Sequence, residues 1–131
     1  HQYSTTCSPT FIQKGLVDSL EDPQTEKEVQ DMLDAFAKRR KAMVSGLEKI
    51  NGLKVIQPKG AFYVMVDVSA TGLSGMDFAM KLLEEYNVAT VPAIGLGDAC
   101  GDYIRISYAA SDENIVKGLE NMAACVKSLG L

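Results

Sequence analysis

The stretch DYIRISYAASDENI, from Asp102 to Ile115, decides the fold because it joins a strand pattern directly to a helix start. Polar and apolar residues alternate along its first half, which is the period of a strand with one buried face. The alternation separates two sets of side chains, Ile104, Ile106 and Tyr108 on one face and Tyr103, Arg105 and Ser107 on the other. Ser111 or Asp112 then offers a side-chain cap for a helix. The stretch therefore predicts a half-buried strand followed at once by a helix.

Arg105 is the residue of this stretch that a hydrophobic core does not explain. A guanidinium is costly to bury without a partner, and the alternation excludes Arg105 from the face that its isoleucine neighbours bury. One interpretation is an arginine that is exposed to solvent or paired with a nearby carboxylate. The other is a planar fork presented to a carboxylate or phosphate, which two parallel hydrogen bonds would orient. The strand by itself leaves both interpretations open.

The hydrophobic periodicity of the whole chain predicts an α+β fold. Spacings of three and four residues indicate helices, and alternation or short β-branched runs indicate strands. The predicted order is a helix at 11–20, a long helix at 25–50, strands at 53–56 and 61–68, a helix at 76–86, strands at 88–91 and 103–108, and a helix at 112–129. This order predicts a small, mostly antiparallel sheet covered by helices on one face.

Two local details accompany this prediction. The long helix is expected to start with a capping box, in which Thr25 and Glu28 satisfy each other's free backbone N–H groups. Its apolar side, expected to be buried, consists of Val29, Met32, Leu33, Phe36, Met43, Val44, Leu47 and Ile50. In the strand at 61–68, the residues predicted to share one face are Phe62, Val64, Val66 and Val68, and those predicted to share the opposite face are Tyr63, Met65 and Asp67.

Composition excludes several classes of partner. A chain of 131 residues with 47% hydrophobic content is large enough for one compact domain with a core. A formal net charge of −4 argues against nucleic acid or an anionic membrane surface as partner, and Lys38–Lys41 is interpreted as a solvated helix face. No apolar stretch approaches the roughly 20 residues that a membrane span needs. With no signal peptide visible, a cytoplasmic location is expected.

Little in the sequence indicates catalysis or metal binding. Cys7, Cys100 and Cys125 are interpreted as free thiols of a reducing cytoplasm. His1 is the only histidine, so no Ser-His-Asp or Cys-His set can be assembled. Asp67, near a strand end, is either an acid or base or a plain surface aspartate. No metal ligand and no catalytic residue is predicted.

Three glycines between the last two strands also need an interpretation. Gly95, Gly97 and Gly101 suggest a phosphate-cradling loop, but they do not open directly into a helix. The dinucleotide-binding fingerprint requires that helix, because its N-terminus receives the pyrophosphate. Loop flexibility is therefore the preferred interpretation of these glycines.

Four segments together resemble the C-terminal part of a fold-type-I, pyridoxal-phosphate-dependent aminotransferase of the aspartate aminotransferase class. They are QYSTTCSPTFIQKGLVDSL, PKGAFYVMVDVS, NVATVPAIGLG and GDYIRISYAASDENIVKGLENM, and they keep the family's order and approximate spacing. The resemblance implies that residues 1–22 are a remnant of the large, pyridoxal-phosphate-binding domain and residues 23–131 the C-terminal small domain. It further implies that Arg105, in the R-I-S-[FY]-A segment, binds the α-carboxylate of the substrate.

The resemblance also implies what the parent protein does. Such an enzyme moves an amino group between an amino acid and a 2-oxo acid, is a homodimer, and closes its small domain over the substrate. The family's Schiff-base lysine lies upstream of the matching region, and no lysine here stands in its S-K motif. The chain alone is therefore expected to bind pyridoxal phosphate poorly and to be inactive without the missing large domain.

Further expectations follow from particular segments. The chain has Val91-Pro92-Ala93 where the family usually has V-P-G, and Leu96-Gly97 where an aromatic residue usually precedes the glycine, so substrate preference near this loop is open. Residues 3–7 are expected near an active site across the dimer interface. A further expectation concerns side chains that would normally pack on the large domain and should be exposed or self-associating, namely Phe11, Ile12, Leu16 and Leu20.

Two alternative functions stay open on the sequence alone. One is a pyridoxal-phosphate-dependent lyase or synthase on the same scaffold, in which Arg105 would keep its role. The other is a ligand-sensing module of a regulator, without enzymatic activity.

Overall fold

The computed structural model describes residues 9–131. The chain divides into two compact units, and the boundary between them along the sequence falls within a long helix, between Ala35 and Phe36. The first unit contains helix α1 (Thr10–Glu21) and the beginning of helix α2 (Pro23–Leu47). Helix α1 buries none of its residues. Across the described residues, every helix is too short or too polar to cross a membrane.

The second unit holds the sheet and the remaining helices. Its elements are β1 (Lys54–Ile56), β2 (Tyr63–Asp67), α3 (Gly75–Tyr86), β3 (Val91–Pro92), β4 (Tyr103–Ser107) and α4 (Asp112–Ser128). The strands lie in the order β1-β2-β4-β3, and each neighbouring pair is antiparallel. The predicted α+β fold class and the predicted order of elements are both confirmed.

The core lies between one face of the sheet and the three helices that reach this unit. The sheet side consists of alternating residues of the two central strands and of the residue directly after each strand, namely Val64, Val66, Val68, Ile104, Ile106 and Tyr108. The helices supply Met43, Leu47, Phe78, Leu82, Ile115, Met122, Cys125 and Val126. Full burial of one large aliphatic side chain contributes about 1.5–3 kcal/mol, so this layer is a major stabilising contribution to the second unit. The other face of the sheet carries Arg105.

The start of α2 differs from the prediction. The helix begins at Pro23, and the Asp22 carboxylate accepts a hydrogen bond of 2.9 Å from the backbone N–H of Gln24. The predicted capping box at Thr25 is therefore wrong. Asp22 caps the helix instead, because an aspartate followed by proline at the first helical position is a favourable start that needs no N–H from the proline.

Burial along α2 also differs from the prediction. Met43, Leu47 and Ile50, near the end of the helix and just after it, are buried as expected. The side chains in the first unit, Val29, Met32 and Leu33, are exposed although their spacing is typical of a buried face. Periodicity identifies an apolar side of a helix, and burial requires a second surface that covers that side.

Phe62 is the exception to the predicted face of β2. Its side chain is 49% exposed, whereas Val64 and Val66 are buried as predicted. The strand begins only at Tyr63, and Ala61 adopts a left-handed conformation with φ of 60°. Because the chain is not yet extended at Ala61, the alternation of faces does not reach back to Phe62.

Helix α3 approaches β4 closely at its first residue. The backbone N–H of Gly75 donates a hydrogen bond of 2.8 Å to the carbonyl of Gly101. A Cβ atom at position 75 would lie 2.9 Å from that same carbonyl oxygen and would also meet the carbonyl of Tyr103. Only glycine allows this contact, a requirement that the sequence pattern did not indicate.

Candidate functional site

Arg105 lies in the middle of β4 on the sheet face that points away from the core. Its neighbours in register are Met65 on β2 and Val91 on β3. Arg105 is half-buried, while Ile104 and Ile106 on either side of it are buried in the core. The predicted placement of Arg105 is therefore confirmed.

The guanidinium of Arg105 lies over the ring of Tyr63. The distance from Cζ of Arg105 to the ring centroid is 5.0 Å, which is within the range of a cation–π interaction. Met65 on β2 lies directly opposite Arg105. Tyr63 is two residues before Met65 and lies on the same outer face of the strand. Sequence reasoning missed this contact, although the alternation already put both side chains on one face.

No carboxylate neutralises Arg105 within the described part of the chain. The ion pairs among residues 9–131 all lie elsewhere and are Lys27–Asp31, Lys38–Asp112, Arg39–Asp112 and Lys81–Glu85. A cation over a ring uses none of its N–H donors, so the five donors of the guanidinium stay available for an anion. The salt-bridge interpretation of Arg105 is thus not supported by residues 9–131.

Asp67 is the acidic residue that β2 places on the same face. It lies opposite Tyr103, in the row next to Arg105. Its Oδ1 accepts a hydrogen bond of 2.9 Å from the backbone N–H of Ser69. Hydrogen bonds from Ser69, and more weakly the charge of Lys54, hold the pKa of the Asp67 carboxyl below its usual value. Asp67 therefore stabilises the turn after β2, and the surface interpretation fits it better than an acid or base.

The loop between β3 and β4 contains two short 3-10 turns, Ala93–Leu96 and Asp98–Cys100. Gly97, between them, has φ of 154°, a conformation that favours glycine. No α-helix opens from these glycines, and only the three-residue 3-10 turn follows Gly97, which agrees with the interpretation as a plain loop. Ala93, where the family usually has glycine, is fully buried, so its methyl group is part of the packing under the loop.

The remaining candidates have structural roles or lie outside the described residues. Cys125 is buried, which raises the pKa of its thiol, and Cys100 is half-buried; both are free thiols. Within residues 9–131, no group of His, Cys, Asp and Glu side chains is arranged to hold a metal ion. His1, Cys7 and the expected interface segment 3–7 fall outside the described range.

Two residues of the basic cluster at 38–41 form ion pairs with the first residue of α4. Nζ of Lys38 lies 2.5 Å from one oxygen of the Asp112 carboxylate, and Nε of Arg39 lies 3.7 Å from the other. The hydrogen bond and charge of Lys38 hold the pKa of Asp112 below its usual value. These contacts link α2 to α4. Lys38 and Lys41 are exposed, as expected for a solvated helix face, whereas Arg39 and Arg40 are half-buried.

A cavity of about 490 Å³ lies on the core side of the sheet. Its lining includes Met43, Asn87, Ile106, Lys117 and Asn121, and it does not include Arg105. Arg105 is therefore not part of this cavity.

Comparison with known proteins identifies the family. Residues 2–121 match the family model for aminotransferase class I and II. Because this match covers most of the chain, the chain belongs to the aminotransferase class I and II family.

Individual relatives agree in sequence and in structure. The aspartate aminotransferase of Pyrococcus abyssi is 37% identical over 120 residues, which are 92% of this chain and 31% of that protein. The aromatic aminotransferase structure from Pyrococcus horikoshii matches with a TM-score of 0.91 and 36% identity, over 97% of this chain and 34% of that one. Aspartate aminotransferase from Thermus thermophilus, solved with maleate, matches with a TM-score of 0.82 and 34% identity, over 95% and 32%. The chain spans about a third of the length of these relatives.

The family depends on pyridoxal phosphate, which needs a lysine for its covalent link and donors for its phosphate. Among the strand residues on the outer face, one is a lysine, Lys54, and it lies opposite Asp67 rather than beside Arg105. The side chains that surround Arg105 are Tyr63, Met65 and Val91, none of which binds phosphate by charge. The described residues of this face do not fit a pyridoxal phosphate site by themselves.

Proposed function

We propose that this chain is the C-terminal small domain of an aminotransferase, with a piece of the large domain before it, and that Arg105 binds the substrate α-carboxylate. The observation that carries the proposal is the Arg105 guanidinium, which lies over the Tyr63 ring without a carboxylate partner among residues 9–131. The substrates would be an amino acid and a 2-oxo acid, which share this carboxylate. Maleate in the Thermus thermophilus relative is consistent with binding of carboxylates in this family.

The surroundings of Arg105 suit this role. Two parallel hydrogen bonds from the planar fork would fix the orientation of a carboxylate, which a lysine cannot do. Met65 and Val91 on either side offer no competing acceptor from their side chains and reduce the local dielectric constant, which strengthens the attraction between the two charges. In this account Arg105 binds and orients the substrate, and it transfers no proton.

The cofactor would be held by other parts of the parent protein. Pyridoxal phosphate, when bound, supplies the electron sink that transamination requires. Because the outer face of the sheet does not fit this group, we place the Schiff-base lysine and the phosphate-binding groups in the large domain. This chain alone would then be inactive.

The same proposal covers the domain boundary and the assembly. We assign residues 1–22 to the large domain and 23–131 to the small domain, which would close over bound substrate and exclude water. The apolar side chains of α1, including Phe11, Leu16 and Leu20, are exposed as expected if α1 normally packs on a large domain. The homodimer and the cytoplasmic location stay predictions.

Kinetics of the complete parent enzyme test the role of Arg105. We expect Arg105→Lys to raise the KM for both the amino acid and the 2-oxo acid by roughly 10- to 100-fold, since a charged hydrogen-bonded contact is worth about 1.5–3 kcal/mol. Arg40→Lys is the matched control, because the one hydrogen bond of the Arg40 side chain to a described residue goes to the carbonyl of Pro58, at 3.5 Å. An Arg105→Lys enzyme with the KM values of the Arg40→Lys control would contradict the proposal.

A further inference from the structure

We propose that Tyr63 is a positioning residue, which holds the Arg105 guanidinium in place for an incoming carboxylate. This inference rests on the proposed function of Arg105. It adds a residue on the neighbouring strand that contacts Arg105 by its ring alone, with Cζ of Arg105 5.0 Å from the ring centroid.

Ring contacts restrain Tyr63 from the side of the long helix. The rings of Tyr63 and Phe62 meet edge to face, with centroids 5.2 Å apart and planes at 78°. The ring centroids of Phe62 and of Phe36 on α2 are 6.3 Å apart, and Cζ of Arg39 lies 5.7 Å from the centroid of the Phe36 ring. Edge-to-face pairs at this separation are favourable beyond the burial of their apolar surface. A continuous series of rings therefore connects α2 with Arg105.

The backbone conformation just before β2 brings the rings of Phe62 and Tyr63 into contact. Consecutive residues of a regular strand point to opposite faces, so two adjacent rings do not normally touch. Here Ala61 has φ of 60°, a conformation that costs a non-glycine residue energy. Hydrogen bonds from Tyr108 hold it, since the Tyr108 hydroxyl donates to the Ala61 carbonyl and the Tyr108 N–H donates to the Phe62 carbonyl, both at 2.9 Å.

A ring is a suitable restraint for an arginine that must bind an anion. A free arginine side chain loses rotamer entropy when it becomes fixed, and this cost weakens binding. An acidic neighbour would also fix Arg105, but it would use the N–H donors that the substrate needs. The Tyr63 ring restrains the cation and leaves those donors available. No described residue hydrogen-bonds to the Tyr63 hydroxyl, so phenylalanine should serve equally well at this position.

The first test compares Tyr63→Leu and Tyr63→Phe in the complete parent enzyme, with Arg105→Lys as reference. Cation–π contacts of partly exposed groups correspond to about a 2- to 5-fold change in affinity. We expect Tyr63→Leu to raise the KM of the amino acid and the inhibition constant of maleate by this factor and to change kcat little. Tyr63→Phe should match the unmodified enzyme. If Tyr63→Leu does not fold, Tyr63→Met replaces it.

The second test needs no catalysis and uses this chain. A ring under the guanidinium shifts the NMR signals of the Arg105 side-chain Nε–H and δ protons upfield. We expect this shift in the unmodified chain and in Tyr63→Phe, and we expect its loss in Tyr63→Leu and Tyr63→Met.

The outcomes separate this inference from the proposed function. If Arg105→Lys raises KM but the leucine and methionine variants leave KM and maleate inhibition unchanged, the positioning role of Tyr63 is overturned and the role of Arg105 stands. If Arg105→Lys itself leaves KM unchanged, the proposed function fails, and the positioning role fails with it. Absence of the upfield shift of the Arg105 side-chain signals in the unmodified chain would also overturn the inference.

Discussion

The hydroxyl of Tyr108 donates a hydrogen bond of 2.9 Å to the carbonyl of Ala61, which joins the end of β4 to the left-handed residue before β2. Tyr108 is buried, and its backbone N–H also donates to the carbonyl of Phe62. One core residue thus fixes the entry of the strand that carries Tyr63. The position of the ring over Arg105 depends on this link between two distant parts of the sequence.

Removal of the Tyr108 hydroxyl should weaken this link. We expect Tyr108→Phe to lower the free energy of unfolding by about 1 kcal/mol, the usual net value of one intramolecular hydrogen bond. Urea unfolding of this chain measures the change. Tyr103→Phe is the matched control on the same strand, since its hydroxyl makes no hydrogen bond to a described residue. Equal stability of the two variants would contradict this role of Tyr108.

The left-handed conformation of Ala61 predicts an unusual ranking of substitutions. Ala61→Gly should leave stability unchanged or raise it by up to about 1 kcal/mol, because glycine adopts φ of 60° without strain. Ala61→Val should lower stability by more than about 1 kcal/mol, because a β-branched side chain tolerates this conformation poorly. Thermal unfolding of both variants measures the ranking. A valine variant as stable as the glycine variant would show that position 61 is not left-handed.

Two glycines at helical positions should respond oppositely to alanine. Gly75→Ala should lower stability by about 1–3 kcal/mol, because the added methyl group would meet the carbonyl of Gly101 at 2.9 Å. Gly118→Ala should raise stability by up to about 1 kcal/mol, because no atom of residues 9–131 lies within 4 Å of a Cβ there and alanine favours the helix. Denaturant titration of both variants measures the two changes in the free energy of unfolding. Changes of the same sign would contradict the contacts described for these two positions.

The contact between Lys38 and Asp112 predicts a loss of stability in acid. The pKa of Asp112 is lower in the folded chain than its ordinary value of 3.8, mainly because of Lys38. The contribution is therefore fully present above pH 4 or so and is lost as the pH falls through the folded pKa. It should be small, since the pair is exposed and screened by salt. Thermal melts between neutral and acidic pH measure it.

Variants of this pair provide the controls. Asp112→Asn and Lys38→Gln should each reduce the dependence of the melting temperature on pH below about 4. An unchanged pH dependence in both variants would mean that Asp112 does not contribute.

The chain alone should not take up pyridoxal phosphate at one defined lysine. We expect incubation with the cofactor, borohydride reduction and peptide mapping to show only weak labelling, spread over exposed lysines. The complete parent enzyme is the positive control, with one lysine labelled stoichiometrically. Stoichiometric labelling of one lysine in this chain would contradict the assignment of the cofactor site to the large domain.

The sequence predicted the features that depend on local periodicity. The alternation at 103–108 placed Arg105 on the outer face, and the order of helices and strands led to the α+β fold, because burial on one side imposes these periods on the sequence. Features that depend on distant partners could not be predicted. Phe62 is exposed because a hydroxyl 47 residues further along the chain holds Ala61 in a left-handed conformation.

The contacts of the site were only partly predictable for the same reason. Tyr63 and Arg105 were each assigned to an outer face, but their proximity depends on the register between β2 and β4, which no local pattern encodes. In the sequence, Gly75 resembles any glycine at a helix start. A glycine is required there because the carbonyl of Gly101, in another segment, leaves no room for a Cβ atom. Asp22 caps α2 in preference to Thr25, a choice between two plausible local starts.

A structure of the complete parent protein with maleate bound tests the central claim most directly. The account predicts that two nitrogens of the Arg105 guanidinium each lie about 3 Å from an oxygen of one carboxylate, with the Tyr63 ring still beneath the guanidinium. Maleate bound away from Arg105, with the guanidinium paired to an acidic side chain of the protein, would contradict it.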